Sequence, residues 1–164
     1  MSQTIIAGQR AAFEHAYGLM MRCIEVCPED IWAEKFGGWP VWQHVYNALG
    51  SCQFWALQDG ETPEPGMYPL EVNRLQSTPD AAPAKKDVLE YAARMKAKAD
   101  AYLDALRDAD LPGLNQGLTA RMKALGMPHE FSHSQTLVML SGHLLYHLGS
   151  CDAALRERGM KGVF

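Results

Sequence analysis

Two histidines near the end of the chain have the spacing of a metal-binding pair. His143 and His147 are four residues apart, so on a helix both imidazole rings project from one face and can converge on one ion. They lie beside Leu140, Leu144 and Cys151, which indicates the inward face of that helix. Inward imidazoles need a partner, because burying an unsatisfied polar group is costly.

A third histidine could complete this pair. His44 lies near the start of an earlier predicted helix, next to the apolar residues Val41 and Val45. If that helix runs antiparallel to the last one, His44 lies level with His143 and His147. Three neutral imidazoles with one open position for water form a catalytic rather than a closed structural metal site. The alternative is three separate core histidines, each hydrogen-bonded to backbone.

The remaining histidines are weaker candidates. His129 and His133 repeat the same spacing, but they flank the start of the last helix beside a proline, and we expect them to be exposed to solvent. His15 is expected at the surface or half-buried. Asn47 lies one turn beyond His44, where its amide either orients that ring or faces solvent.

The chain has four cysteines, Cys23, Cys27, Cys52 and Cys151, and no Cys-x-x-Cys pair. Cys23 and Cys27 are one turn apart and could share a metal, but small apolar side chains in the core are the favoured interpretation. We expect all four to be reduced thiols. Along antiparallel helices Cys52 and Cys151 should lie more than about 10 Å apart, so they should not complete the metal site together.

Four amphipathic helices would position these residues. Apolar spacing of three and four residues predicts helices over about 6–27, 40–60, 84–111 and 132–159. The last begins with a capping-box pattern, Ser132 followed by Gln135. Residues 59–83 hold five of the nine prolines, which excludes regular helix over most of that stretch. A short helical turn over 119–125 is a further expectation, and no strand-like alternation of useful length is present.

These elements predict an all-α fold. Its expected form is a four-helix bundle, since the helices have similar lengths and amphipathic faces. The connection between the second and third helices is about 24 residues, too long for a simple turn. It can therefore cross over and leave those helices parallel, giving an up-down-down-up order. A length of 164 residues predicts a single domain over 1–164.

Composition excludes several classes of function. With 48% hydrophobic and 21% charged residues, the chain is not disordered. A net charge of −4 without a basic stripe argues against nucleic acid or an anionic membrane as partner. The start resembles no signal peptide and no apolar run spans a bilayer, so we expect a cytoplasmic protein. The expected partner is a small-molecule substrate, and a homodimer remains an open option.

Three segments resemble the DinB-like family, also called the DinB/YfiT-like metalloenzymes. They read WPVWQHVYNALG at 39–50, SGHLLYHLG at 141–149 and LRERG at 155–159. The resemblance implies an up-down-down-up four-helix bundle and a divalent metal ion held by His44, His143 and His147. Zinc or nickel suits imidazole ligands best, with manganese or iron as further candidates. The resemblance assigns no catalytic base. Glu130 and Asp152 are the two carboxylates to consider for that role.

Activated water or thiolate at the open position of such a site would give hydrolysis, thiol transfer or isomerisation. The resemblance implies thiol-dependent transferases and isomerases, and a metal deprotonates a thiol on binding. A hydrolase or a transferase that uses a low-molecular-weight thiol is therefore the expected enzyme. Trp39, Trp42, Tyr46 and Trp55 surround His44 in the sequence and either line a pocket or pack in the core. The alternative to an enzyme is a non-catalytic stress-associated or ligand-binding bundle with incidental or no metal.

Overall fold

The computed structural model describes residues 4–164, and these are mostly helical. Its helices are α1 (Thr4–Val26), α2 (Glu29–Trp32), α3 (Val41–Trp55), α4 (Leu70–Asn73), α5 (Lys85–Ala105), α6 (Gln116–Ala124) and α7 (His133–Glu157). A 3₁₀ turn covers Asp108–Asp110, and β1 (Lys35–Phe36) pairs antiparallel with β2 (Trp39–Pro40). The predicted all-α class is therefore confirmed. Within 4–164 no helix has both the length and the apolar character needed to cross a bilayer.

Side-chain caps explain where the last two helices begin. Ser132 accepts a hydrogen bond from the Gln135 N–H, and the Gln135 side chain accepts one from the Ser132 N–H. This reciprocal pair is the capping box that the sequence predicts. The Asn115 side chain accepts from the Leu118 N–H and starts α6, which is the short helix expected near 119–125 and begins earlier than expected.

Two predicted helices end earlier than their sequence patterns suggest. The helix expected to reach Gly60 stops at Trp55. Beyond it, the backbone of Leu57 and Gln58 passes so close to Gly117 that an added Cβ there would lie 2.3 Å from Gln58. The third predicted helix stops at Ala105, because the chain becomes extended and then turns into the 3₁₀ segment. Tertiary packing, rather than the local pattern, sets both ends.

The short elements between α1 and α3 were not predicted. α2 has four residues and each strand has two, too few for a periodic pattern to identify. Gly37 and Gly38 form the hairpin turn with φ of 60° and 94°, a conformation that favours glycine at both positions. The turn brings β1 into contact with α7.

Four long helices pack in neighbouring pairs. α3 packs against α7 and α5, and α1 packs against the same two helices. Along α3 and α7 the contacts run in opposite directions: Val41 meets Cys151, His44 meets His147, and Asn47 meets His143. α3 and α7 are therefore antiparallel, as the metal-site hypothesis requires.

The proline-rich connection between α3 and α5 is fixed along α3 by buried amide side chains. Gln43 donates to the carbonyls of Val72 and Ser77 at 2.8 and 2.6 Å. Gln53 donates to the Glu64 carbonyl at 3.0 Å. Because these amides donate to backbone carbonyls of the connection, it can lie against the core without leaving those carbonyls unpaired.

Candidate functional site

The three predicted ligand histidines lie together between α3 and α7. The Nδ1 atoms of His44 and His147 are 3.1 Å apart, and their ring centroids are separated by 5.4 Å. The ring of His143 lies 4.9 Å from that of His147, centroid to centroid. His44 and His147 are buried, whereas His143 is half-buried, so the cluster reaches the edge of the core.

The hairpin determines the orientation of His44. Its Nε2 lies 3.0 Å from the carbonyl oxygen of Phe36 in β1. A carbonyl oxygen only accepts hydrogen bonds, so Nε2 carries the proton and donates it. The Nδ1 atom of the neutral ring then holds a lone pair, directed at His147. A backbone carbonyl on the distal nitrogen is a common support for metal-ligating histidines.

Asn47 determines the orientation of His143 in a similar way. The Asn47 Nδ2 donates to the carbonyl of Asn73, so its Oδ1 is the atom that faces His143 at 2.8 Å. His143 therefore donates from Nε2 and has its lone pair on Nδ1. Asn47 neither orients His44 nor faces solvent, the two roles that the sequence left open; it supports the other helix's histidine instead.

Burial keeps His147 and His143 uncharged. Together with the neighbouring His143 and His44, burial lowers the pKa of His147 to about 3. Burial also lowers the pKa of His143. Near pH 7 both rings are therefore neutral, and neutral imidazole is the form that binds a metal ion.

The histidines of this cluster are suitable ligands for a divalent ion, but their rings are not placed around one point in this structure. Within residues 4–164 no three His, Cys, Asp or Glu side chains are grouped as metal ligands, because His143 faces Asn47. The donor set nevertheless consists of imidazoles, which suit zinc and nickel. Two nitrogens that bind one ion at about 2.1 Å with near-tetrahedral angles lie about 3.4 Å apart, close to the separation of the His44 and His147 pair.

The other histidines lie away from this cluster. His15 and His129 are exposed, in agreement with the prediction for each. His133 is half-buried instead of exposed, since its Nδ1 forms a 2.7 Å hydrogen bond with the Tyr102 hydroxyl. That bond links His133, at the start of α7, to Tyr102 of α5.

The four cysteines are free and buried. Cys52 donates to the Ala48 carbonyl and Cys151 to the Val41 carbonyl, so the two thiols occupy different turns of the α3 interface. Burial raises the pKa of Cys52 to about 12. None of the thiols has the exposed, low-pKa environment of a nucleophile.

The two carboxylates considered as bases have other roles. Asp152 Oδ2 accepts from the Arg156 Nε and its Oδ1 from the Val163 N–H, each at 2.6 Å, so both oxygens are engaged. Glu130 is exposed in the loop before α7. Neither is arranged as a general base for the histidine cluster.

A cavity of about 160 Å³ lies against His143. Trp55 lines it, whereas Trp42 and Tyr46 are buried in the core and Trp39 is half-buried beside the hairpin. A second cavity, about 680 Å³, lies under the proline-rich connection and is not lined by any of the three histidines.

Sequence reasoning missed several residues around the cluster. They are Phe36, whose carbonyl orients His44, and the cavity arginines Arg74 and Arg121. The adjacent glycines 37 and 38 were a usable signal for the hairpin, because two consecutive glycines favour a tight turn. Nothing in the local pattern distinguishes the two arginines from surface residues.

Comparison with known proteins identifies the family. No curated protein and no solved structure matches the chain. The sequence model of the DinB superfamily matches residues 12–151, a span that includes all three histidines of the cluster and most of each long helix. The chain belongs to the DinB superfamily.

Proposed function

We propose that this protein is a metal-dependent enzyme whose divalent ion is held by His44, His143 and His147. One observation carries the proposal: two buried imidazoles, those of His44 and His147, face each other with Nδ1 atoms 3.1 Å apart, and a carbonyl holds the distal nitrogen of His44. Superfamily membership is consistent with such an enzyme. Zinc or nickel is the proposed ion, with manganese or iron as alternatives.

The proposed frame for this site is an up-down-down-up four-helix bundle. The pairing of α3 and α1 with both α5 and α7 supports it. Ion pairs support an antiparallel arrangement of α1 and α5, since Arg10 pairs with Asp104 and Glu14 with Lys96. In α3 and α5 the ring of Tyr46 meets that of Tyr91, as expected for helices that run side by side from the same end.

The protein's own residues would orient the ligands and define the open side of the site. When bound, the ion would supply a Lewis acid with a position free for water or a thiol. The Phe36 carbonyl and the Asn47 amide hold the Nε2 protons of His44 and His143. His143 borders the 160 Å³ cavity, which is the proposed place for a small-molecule substrate.

Between the two reaction classes, we favour thiol-dependent transfer over hydrolysis. Hydrolysis of an unactivated bond usually needs a general base, and Asp152 has both oxygens in hydrogen bonds. A thiol needs no such base, because coordination itself lowers its pKa. The protein's own thiols are buried, so the reacting thiol would come from a low-molecular-weight substrate.

Elemental analysis of protein purified without a histidine tag tests the metal site. We expect about one zinc or nickel ion per chain in the wild type and almost none in His147→Ala. His129→Ala is the matched control, since His129 is exposed and its loss should leave the metal content unchanged. Metal-free protein whose stability does not respond to a chelator would instead favour the non-catalytic ligand-binding alternative.

A thermal-shift screen of the metal-loaded protein tests the reaction class. Low-molecular-weight thiols such as cysteine, glutathione and 2-mercaptoethanol should raise the unfolding temperature, whereas serine should not. The same thiols should have no effect on His147→Ala. If no thiol changes the unfolding temperature, thiol transfer is wrong and hydrolysis remains.

Apolar side chains on the outer face of α7 support a homodimer as a further proposal. Val138, Leu145 and Tyr146 are 58%, 39% and 75% exposed and lie near one another at helical spacing. We expect the native mass of the wild type to be twice that of the chain. Tyr146→Glu should give a monomer, because it places a charge in the apolar patch.

A further inference from the structure

The cavity beside His143 has an unusual charge pattern for this protein. The chain has a net charge of −4, yet among residues 4–164 the only charged side chains that line this cavity are Arg74 and Arg121. No aspartate or glutamate of this part of the chain lines it. A pocket with two guanidinium groups and no carboxylate favours a negatively charged occupant.

Two residues of the cavity wall also carry hydrogen-bond donors without acceptors. In the described part of the chain, the buried side-chain nitrogens that lack a hydrogen-bond partner are the Nε1 of Trp55 and the Nε of Arg121. Both residues line this cavity. A buried donor that loses water without gaining an acceptor is destabilising, so two of them on residues of one cavity wall favour an occupant that offers acceptors.

The nearby acidic side chain does not neutralise Arg121. Glu64 lines the larger cavity, which Arg121 also borders. Its carboxylate, however, pairs with Lys98 at 3.4 Å and with Arg94 at 3.9 Å. Residues 4–164 provide no ion-pair partner for Arg121 or Arg74 within 4 Å.

The rest of the cavity wall is mainly apolar. Phe54, Leu125 and Met127 line it together with the ring of Trp55. Its volume of about 160 Å³ is several times the roughly 30 Å³ that one water molecule occupies in the liquid. This combination suits a small organic acid with a short hydrocarbon body better than inorganic phosphate.

We propose that this cavity binds the carboxylate of a small organic acid, with Arg121 as the main partner and Arg74 and the Trp55 indole N–H as additional donors. A guanidinium is planar and can donate two parallel hydrogen bonds to a carboxylate. The identity of this ligand as the substrate rests on the proposed function, because His143 also lines the cavity. Binding of the anion itself requires no metal.

Titration followed by ¹H–¹⁵N NMR tests the inference, with 3-methylbutanoate as probe. Its uncharged analogue, 3-methylbutanamide, has nearly the same shape and is the control ligand. The carboxylate should shift the indole N–H signal of Trp55, which is assigned by its loss in Trp55→Phe. The amide should bind at least tenfold more weakly, since it lacks the charge that a guanidinium recognises.

Three variants test which residues bind the probe. Arg121→Gln should weaken binding of the carboxylate at least tenfold and leave the weak binding of the amide almost unchanged. Arg22→Gln is the matched control, because Arg22 is exposed on α1 and its loss should have no effect. Trp55→Phe keeps a ring but removes the donor, and it should weaken binding a few-fold.

The outcomes separate this inference from the metal site. The carboxylate should bind metal-free His147→Ala with the same dependence on Arg121, so a failed metal proposal leaves the inference intact. Equal affinity for acid and amide, or unchanged affinity in Arg121→Gln, would overturn it. Binding of inorganic phosphate without binding of 3-methylbutanoate would overturn the assignment to a carboxylate.

Discussion

The α1–α5 and α3–α7 interfaces differ in where their polar groups lie: at the solvent-exposed rim in the first and in the buried interior in the second. Along α1–α5 charged side chains remain at the rim: Lys96 binds Glu14 at 2.7 Å and Asp100 at 2.8 Å, with a quarter of its side chain exposed. Along α3–α7, His44 and His147 are buried, and the lowered pKa of His147 keeps that ring uncharged. A rim charge keeps much of its hydration, whereas a buried imidazole loses it and depends on each hydrogen bond.

This difference indicates where stability and function lie. Exposed ion pairs contribute about 0–1 kcal/mol each, so the rim of α1–α5 can change with little effect. The α3–α7 interface contains buried imidazoles that need hydrogen-bond partners, at positions where leucine side chains would pack without needing any. Of the two interfaces, the second is therefore the one where substitution should change a binding property.

The largest expected effect tests the buried interface directly. At a zinc concentration about 100 times the dissociation constant, the metal should add about 2.7 kcal/mol to the free energy of unfolding of the wild type. In His147→Ala this increment should disappear. Urea unfolding with and without zinc measures the increment within each variant, so any intrinsic loss of stability cancels.

His15→Ala is the control for this experiment, because His15 is exposed on α1. It should keep the full zinc increment. An equal increment in His147→Ala would show that zinc binds elsewhere, and the contrast between the two interfaces would then lose its functional meaning.

The next effect concerns the support of the ligands. Asn47→Ala removes the acceptor of the His143 Nε2 proton, and loss of such a support typically weakens metal binding 10- to 100-fold. Competition with a coloured chelator measures the affinity. Asn73→Ala keeps the backbone carbonyl that Asn47 contacts and should change the affinity much less. Equal losses in both variants would indicate general damage to α3.

An enclosed charge at the end of α7 provides an intermediate case. Burial alone would raise the pKa of Asp152, but the Arg156 guanidinium and the Val163 N–H outweigh it and lower the pKa below its ordinary value. The carboxylate therefore stabilises the folded state above about pH 4, and this contribution is lost as pH falls through the lower folded-state pKa.

Asp152→Asn should accordingly reduce the free energy of unfolding by about 1–3 kcal/mol at pH 7. The difference in free energy of unfolding between Asp152→Asn and the wild type should become smaller as the pH is lowered from 5 to 3. Urea titrations at several pH values measure it, and Asp59→Asn, at an exposed position, should show no such trend. A gap that is constant with pH would mean that the charge of Asp152 is not the cause.

The smallest effect is expected at the rim. Lys96→Met removes the ion pairs but keeps an apolar stem against Phe13 and Tyr17, over whose rings the ammonium lies. The loss in free energy of unfolding, measured by urea titration, should be below about 1 kcal/mol. It should become smaller in about 1 M salt, which screens exposed charges. A loss above 2 kcal/mol that persists in high salt would contradict the distinction between the interfaces.

The sequence predicted the helical class and the inward position of His44 and His147 because both follow from periodic patterns. The spacing of His143 and His147 fixes their common face, and the apolar neighbours of His44 indicate that it faces inward. Helix ends were less predictable. Trp55 ends α3 because the following backbone packs on Gly117, a contact between residues far apart in the sequence.

The hydrogen-bond partners of the histidines could not be predicted at all. Asn47 supports His143 on the opposite helix, and no pattern within α3 indicates this. The role of Arg121 is equally hidden, because a single arginine on a short helix looks like a surface residue until the fold places it beside the cavity. Local patterns identify faces, whereas partners depend on the rotation of one helix against another.

The two-glycine turn of the hairpin has a consequence for the acid–base properties of His44. Gly37 and Gly38 set the position of the Phe36 carbonyl, and an added Cβ at Gly37 would lie 3.9 Å from the His44 Nε2. One extra residue in this turn would displace that carbonyl and release the proton it holds. His44 could then exchange tautomers, and its basic nitrogen would no longer be fixed. The length of this loop thus determines which ring nitrogen of His44 carries the proton.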